Sequence, residues 1–364
     1  MKRNRVNVLL HGIHTINLGD DLFFRIILER YPKSRFIMYA PEIYKRILSD
    51  YGNCLVLSDS DESVRKLLQL SKILHLPRVL LIYLYIFIKY RIDIFSIVGG
   101  SLFIEGKSHI PSLVNRMRIF TKLLRIRICV IGSNFGPCYT QEFKNKVIKT
   151  ISHLDDICFR DLPSYELFSK CSNVRWANDI VMHHRPSTNV RKEHRICVNI
   201  RSVDNWPSLK PYKKEYLEKV KSIIERYQKS GYMITLLSFC EKYGDNEITN
   251  ELYQMLENKN GCEVMYYNGN IDDCLCLISS AEIVVATRFH AIILGLFYNA
   301  SVIPISYSVK SENMLKTLGL WKDIYDFKIF SKAKFEDILE NIICTFELDT
   351  NNNRQFEYID NILN

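Results

Sequence analysis

Arg288 and His290 stand two residues apart in the run AEIVVATRFHAIILGLFYNASVIPI, which covers residues 281–305. A guanidinium is a permanent cation whose planar fork pairs with carboxylates and phosphates, and an imidazole exchanges protons near neutral pH. Side by side they suit chemistry on an anionic substrate with a proton to move. Ala281 to Ala286 read as a short buried strand and Phe289 to Tyr298 as an apolar helix. The pair therefore falls on a strand-to-helix turn, which is where open α/β sheets bind ligands. A cation in the first helical turn opposes the helix macrodipole by a few tenths to about 1 kcal/mol. An anion held between Arg288 and the backbone N–H groups of the turn would remove that conflict. On these residues alone the alternative is a solvated arginine and a histidine that only packs.

Other turns repeat the pattern of small and polar residues at strand ends. HGIHTINLGDD follows the first apolar run, with Asn17, Gly19 and Asp20 at the mouth of a helix and Asp20 as the expected cap. Gly99-Gly100 follows a later strand, where backbone can approach a ligand closely. VIGSNFGP places Ser133 and Asn134 on the next turn, FRDLPSYELF places Arg160 and Asp161 on another, and VNIRSVDNW puts Arg201 at the end of a strand in the second half. Each turn alone reads as structural, while together they point to a site. No GxGxxG and no GxxxxGK[ST] occurs, so nucleotide-phosphate loops of those types are not indicated.

The elements that must position these turns are apolar strands alternating with helical stretches, the pattern of a mainly parallel sheet covered on both faces. The expected fold class is α/β, with two Rossmann-like domains facing a cleft. The first is set at 1–184, the polar, charged segment 185–195 is a linker, the second domain is 196–349, and the Asn-rich residues 350–364 are a partly flexible tail.

Composition sets outer limits. At 364 residues the chain is long for one core and comfortable for two. Hydrophobic residues at 47% and charged residues at 24% are globular values that exclude wholesale disorder. Eleven scattered cysteines, an odd number, read as reduced thiols in a cytoplasmic protein, and Cys274-Leu275-Cys276 has no recognised zinc or redox spacing, so no metal is expected. The basic N-terminus runs into a strand and does not read as a signal peptide. The net charge of +9 has two visible contributors. One is the segment 76–91, whose apolar run Val79 to Ile88 is far short of the about 20 residues needed to span a bilayer. It reads either as a core element or as a helix lying on an anionic membrane surface. The other is the series Arg116, Arg118, Lys122, Arg125 and Arg127. Nucleic acid is not an expected partner, because no recognition motif accompanies the charge.

With NLGDD (17–21), GGSLFIEG (99–106), IGSNFGP (131–137), FRDLPSYELF (159–168), NDIV (178–181), VNIRS (198–202) and TRFHAIILGLFYNASVIPISYSVKSENML (287–315) in this order, the chain resembles the polysaccharide pyruvyl transferases. The resemblance covers nearly the whole chain. It implies a fold like that of GT-B glycosyltransferases, with the first domain on the acceptor side and the second on the donor side. It also implies transfer of the enolpyruvyl group of phosphoenolpyruvate to a sugar as a ketal, during synthesis of exopolysaccharide, capsule or cell-wall polymers. Two positions depart from the family pattern: Ser101 stands where a third glycine is common, and Phe289 where leucine is common.

Phosphoenolpyruvate carries a carboxylate and a phosphate, so its site calls for at least two arginines. Arg288 and Arg201 are the expected pair. His290 is the expected proton carrier, as acid or as base. Lys310 and Glu312, past the next strand, join the expected substrate-binding set with Asn17, Gly19, Asp20, Gly99, Gly100, Ser133, Asn134, Arg160 and Asp161. No cofactor is expected beyond the donor itself. The expected acceptor is a lipid-linked or polymeric sugar, and the expected location is cytoplasmic, with the inner membrane surface as a candidate partner. The competing functions are a nucleotide-sugar glycosyltransferase of GT-B type and a non-catalytic sugar-binding assembly protein.

Overall fold

Short runs of β-branched and aromatic residues become parallel strands, and the longer stretches between them become the helices that cover the sheets. The computed structural model describes residues 5–184, 190–320, 325–340, 342–343 and 350–363; within its helices the side chains at 309, 310, 335, 339, 340 and 350 lie outside the described set. The chain divides into two compact units. One comprises Met1–His14, Phe23–His183 and Asn351–Asn364, and the other Thr15–Leu22 and His184–Thr350.

The first unit is built on β1 (Asn7–Gly12), β2 (Arg35–Tyr39), β3 (Cys54–Leu57), β4 (Ile94–Val98), β5 (Arg127–Ser133), β6 (Asp156–Phe159) and β7 (Val174–Trp176). They form one sheet in the order β3-β2-β1-β4-β5-β6-β7, with every pairing parallel. Between them run α1 (Leu18–Arg30), α2 (Ile43–Ile47), α3 (Glu62–Leu74), α4 (Arg78–Lys89), α5 (Ile110–Leu124), α6 (Gln141–Ile151) and α7 (Leu162–Phe168). β4, IFSIV, is buried at every position, as a strand covered on both faces must be. α5 turns Ile110, Leu113, Val114 and Met117 inward at helical spacing. The Thr140 side chain caps α6, and that of Asp161 caps α7.

The second unit contains β8 (Glu193–Asn199), β9 (Met233–Ser238), β10 (Cys262–Tyr266), β11 (Ala281–Ala286), β12 (Ser301–Ser306) and β13 (Tyr325–Asp326). Its sheet, again parallel, has the order β10-β9-β8-β11-β12-β13. The helices are α8 (Lys213–Lys229), α9 (Asp245–Met255), α10 (Ile271–Ser280), α11 (Phe289–Phe297), α12 (Val309–Thr317), α13 (Phe327–Lys332) and α14 (Phe335–Glu340). A last helix, α15 (Glu357–Leu363), belongs to the first unit. Each sheet grows outward on both sides of a central pair, β1/β4 and β8/β11. That is the doubly wound order in which ligands bind where the winding reverses.

Several expectations about organisation are corrected. Thr15–Leu22, the NLGDD segment, groups with the second unit. β8 begins at Glu193, inside the expected linker, while residues 185–189 of that linker lie outside the described residues. The expected flexible tail is built into the first unit. Buried Gln355 accepts from the Gly132 N–H (2.9 Å) and donates to the carbonyls of Phe159 and Ala177, so one amide ties the ends of β5, β6 and β7. Asp360 accepts two bonds from Arg30 at 3.1 and 2.7 Å. The apolar run 79–88 lies within α4, whose Ile82, Tyr83, Ile86 and Phe87 are core. Among the described residues no helix is long and apolar enough to cross a membrane.

Candidate functional site

β8 and β11 are paired so that Asn199 lies opposite Ala286. Arg201 and Arg288 each follow that pair by two residues, which brings both cations to the C-terminal edge of the second sheet at its winding switch. Asn199 fixes the junction. Its carbonyl accepts from the Thr287 N–H (2.9 Å), its side-chain oxygen from the Arg288 N–H (3.3 Å), and its amide donates to the Leu237 carbonyl (2.8 Å). Thr287 is locked from the other side by the Tyr216 hydroxyl at 2.7 Å.

The two arginines differ in how their charge is met. Arg288, 7% exposed, is the N-cap of α11 and gives a two-pronged bond to Asp245, Nε to Oδ2 at 2.8 Å and Nη2 to Oδ1 at 2.5 Å. Asp245 is fully buried in the first turn of α9, where a negative charge also complements the macrodipole. Burial works against the charge on Arg288, but the carboxylate outweighs it and the guanidinium pKa lies above its ordinary value. The electrostatic conflict expected from sequence is thus resolved by the protein's own aspartate.

Among the described residues Arg201 has no carboxylate partner. Its Nη1 donates to the Tyr307 hydroxyl at 2.9 Å, and its guanidinium lies over three rings, Tyr307 at 4.3 Å and Trp206 and Tyr243 at 5.7 Å each. Its Nε is buried without a hydrogen-bond partner among the described residues. Burial pulls its pKa below the ordinary value and the nearby Arg288 adds to the shift, against opposing contributions from Tyr307, Asp245 and Tyr243. An aromatic cage around a cation that still has an unmet donor is arranged to receive an anion.

His290, one residue into α11, lies against the NLGDD segment. A Cβ built on Gly19 would stand 1.8 Å from His290 Nδ1, so only glycine leaves room for the imidazole there. The segment is anchored at three points. Asn17 accepts from the Gly19 N–H (3.1 Å), the Leu18 N–H donates to the Phe239 carbonyl (3.3 Å), and Tyr267 donates to buried Asp21 (2.7 Å). Asn17 therefore caps α1, in place of the expected Asp20. Asp20 lies close enough to Tyr243 and Cys240 to raise their pKa values, although burial is the main cause in both, bringing Cys240 to about 11.

The geometry brings Asn17, Gly19, Asp20, Arg201, Arg288 and His290 together. Glu312 instead faces Lys316 one turn along α12 at 3.9 Å, and Lys310 has its side chain outside the described residues.

In the first unit Gly99, Gly100, Ser133, Asn134, Arg160 and Asp161 cluster at the ends of β4, β5 and β6, but Arg160 and Asp161 are turned into the protein. The Arg160 side chain is 0% exposed, pairs with Asp179 at 2.8 Å and donates to Asn134 Oδ1 at 3.1 Å. A Cβ on Gly100 would meet Arg160 Nη2 at 2.4 Å, and the Gly100 carbonyl accepts from the Asn134 N–H. Asp161 caps α7 through Ser164, whose hydroxyl accepts from the Phe135 N–H. This network holds the turns in shape. α10 places Cys274 inside and Cys276 outside, so those two thiols do not share a face.

Sequence reasoning missed Asp245, the cage residues Trp206, Tyr243 and Tyr307, and Asn199. Only the aromatic five residues after Arg201 offered a local signal; Asp245 looks like any acid at a helix start.

The family model for polysaccharide pyruvyl transferase matches residues 17–309, a span that holds Asn17, Gly19, Asp20, Arg201, Asp245, Arg288 and His290 and ends just before Lys310. Among solved structures the chain is similar to the UDP-GlcNAc 2-epimerase from Methanocaldococcus jannaschii, with TM-score 0.60 and 12% identity, covering 99% of each chain. It is also similar to the UDP-GlcNAc 2-epimerase from Neisseria meningitidis bound to UDP-GlcNAc, with TM-score 0.61 and 9% identity, again over 99% of each. At such identities the likeness describes the fold, a GT-B-like α/β arrangement of two parallel sheets.

Proposed function

Because the chain belongs to the polysaccharide pyruvyl transferase family, we propose that it moves the enolpyruvyl group of phosphoenolpyruvate onto two hydroxyls of a sugar in an exopolysaccharide, capsule or cell-wall precursor. The observation that carries the reading is the caged Arg201, a buried cation with an unmet Nε donor, beside an arginine whose charge is already neutralised by Asp245. Arg201 takes one anionic group of the donor, and Arg288, fixed in orientation by Asp245, presents its remaining edge to the other.

The reaction needs one proton on the donor methylene, which becomes the methyl group. One sugar hydroxyl attacks the central carbon, the C–O bond to phosphate breaks, and the second hydroxyl closes the ketal. Of the two hydroxyl protons, one balances the methylene and the other leaves with phosphate. His290, held against Gly19, is the group that moves a proton. The arginines stabilise charge as it shifts to the leaving phosphate, the larger contribution in a buried site. Lys310 and Glu312 stay in the substrate-binding set of the second unit, and the first unit is assigned to acceptor binding, with a lipid-linked or polymeric sugar as partner in the cytoplasm.

Purified protein incubated with phosphoenolpyruvate and a panel of nitrophenyl and lipid-linked galactosides, glucosides and N-acetylmannosaminides should release phosphate and form a ketal with at least one acceptor. Arg288→Ala and His290→Ala should abolish that activity. Failure with every acceptor, alongside turnover of UDP-N-acetylglucosamine, would replace this reading with nucleotide-sugar chemistry.

A further inference from the structure

The positive charge of the chain is concentrated. From Ser63 to Ile92 there are six lysines or arginines and no aspartate or glutamate, and from Gly106 to Gln141 another six and again none. These two stretches exceed the whole-chain net charge of +9, so the remainder is net negative. They fold as α3, α4 and α5, with α3 packed on α4 and α4 on α5, a continuous helical layer on the first sheet.

The outward side of this layer is also apolar. The α3–α4 corner exposes Ile73 (73%), Leu74 (52%) and Leu76 (39%), and α5 exposes Ile119 (64%) and Leu123 (77%). On α5 the exposed Arg116, Ile119 and Leu123 follow one another at helical spacing, opposite the buried Leu113, Val114 and Met117. Next to it, α5 and α6 enclose a cavity of about 190 Å³ lined by Asn115, Lys146, Lys149 and His153. Apart from Glu62, which pairs with Lys66 at the start of α3, the charges here are cations, and cations set among protruding leucine and isoleucine match one kind of surface: anionic headgroups over an acyl layer. A nucleic acid would satisfy the charge and leave the apolar side chains in water.

We propose that the outer face of α3, α4 and α5 docks on an anionic phospholipid bilayer. The contact is peripheral, with the α3–α4 corner and the α5 stripe entering the headgroup boundary and the surrounding cations facing lipid phosphates. Within the run 79–88 Ile82, Tyr83, Ile86 and Phe87 are core, so the apolar part of the contact falls chiefly on the corner and on α5 beside it.

Flotation with vesicles of phosphatidylcholine alone, and with phosphatidylglycerol added, tests the proposal on the whole protein. Wild type should float with the anionic vesicles at 50 mM salt, stay behind with the neutral ones, and lose most of its binding at 500 mM. Arg116→Glu/Lys122→Glu should weaken partition about tenfold or more, and Ile73→Ser/Leu74→Ser should weaken it with no change in the salt slope. Lys221→Glu/Lys229→Glu, the same charge change on α8, should bind as wild type, and circular dichroism melts check that all variants are folded. Wild type that remains unbound to anionic vesicles at low salt, or α5 variants that bind as well as wild type, would overturn it. So would retention on duplex DNA with none on vesicles.

Discussion

The Arg288–Asp245 pair sets a measurable energy inside the second unit. With donor–acceptor distances of 2.5 and 2.8 Å the charge centres stand about 4 Å apart, worth about 4 kcal/mol at an effective dielectric of 20. Both groups are buried, so Asp245→Ala leaves a guanidinium with no counter-charge, which costs about 3–5 kcal/mol. For a unit of this size that lowers Tm by about 6–20 °C. Arg288→Ala strands the carboxylate and should cost a similar amount. The double variant removes both charges, and its cost should fall well short of the sum, giving a coupling energy of about 3 kcal/mol in a cycle measured by urea unfolding. The bare Arg288 of Asp245→Ala should also accept an anion, so added phosphate should raise its Tm more than that of wild type. Single variants that each cost under about 1 kcal/mol and add without coupling would refute the reasoning.

Gly19→Ala pushes a methyl group to within 1.8 Å of His290 Nδ1, so the ring must shift by more than 1 Å; kcat for ketal formation should fall about 100-fold while the fold is kept, and a wild-type rate would remove His290 from the chemistry. Arg201→Ala should raise KM for phosphoenolpyruvate about 10- to 150-fold, and Arg201→Lys should restore little because the fork and the ring contacts are lost; an unchanged KM in steady-state kinetics would take Arg201 out of the donor site. His11 and His14 of the first unit are held far below their ordinary pKa, to about 3 and about 4, both by burial, with His14 and His109 adding their charge at His11. The unfolded chain binds these protons first, so the stability of the neutral rings is full above about pH 6.5 and is lost as pH falls toward 4, about 2 kcal/mol for each ring at pH 5. His14→Phe, which keeps the stacking on Phe24, should flatten the pH dependence of urea midpoints between 6.5 and 5, and an unaltered slope would contradict the assignment.

The sheets were legible because their strands are buried on both faces and stand out as apolar runs. β7 and β13, three and two residues long, were not, since an edge strand that short leaves no period to read. α15 was missed because its sequence is polar; it is held by Gln355, Phe356 and Asp360 docking on the first unit, a tertiary cause. In the site, Arg288, His290 and Arg201 could be found from strand-end position and side-chain chemistry, since winding order puts such turns on one edge. Asp245 and the three rings could not, because pairing with a residue 43 positions away is fixed only when α9 and α11 take their places. Arg160 and Asp161 show the converse: a charged pair on a strand-end turn gives no sign in the sequence that Asp179, Asn134 and Ser164 will bond to it.

Gly19 and His290 touch although 271 residues separate them. On a ribosome adding about 5–20 residues per second, the glycine is made some 15–50 s before the histidine it must accommodate. Phe239 and Tyr267, the other partners of the NLGDD segment, are made late in that interval, and the pocket against His290 forms after both. The contact between Gly19 and His290 therefore forms late in synthesis, and a chain cut short before residue 288 lacks both Arg288 and His290.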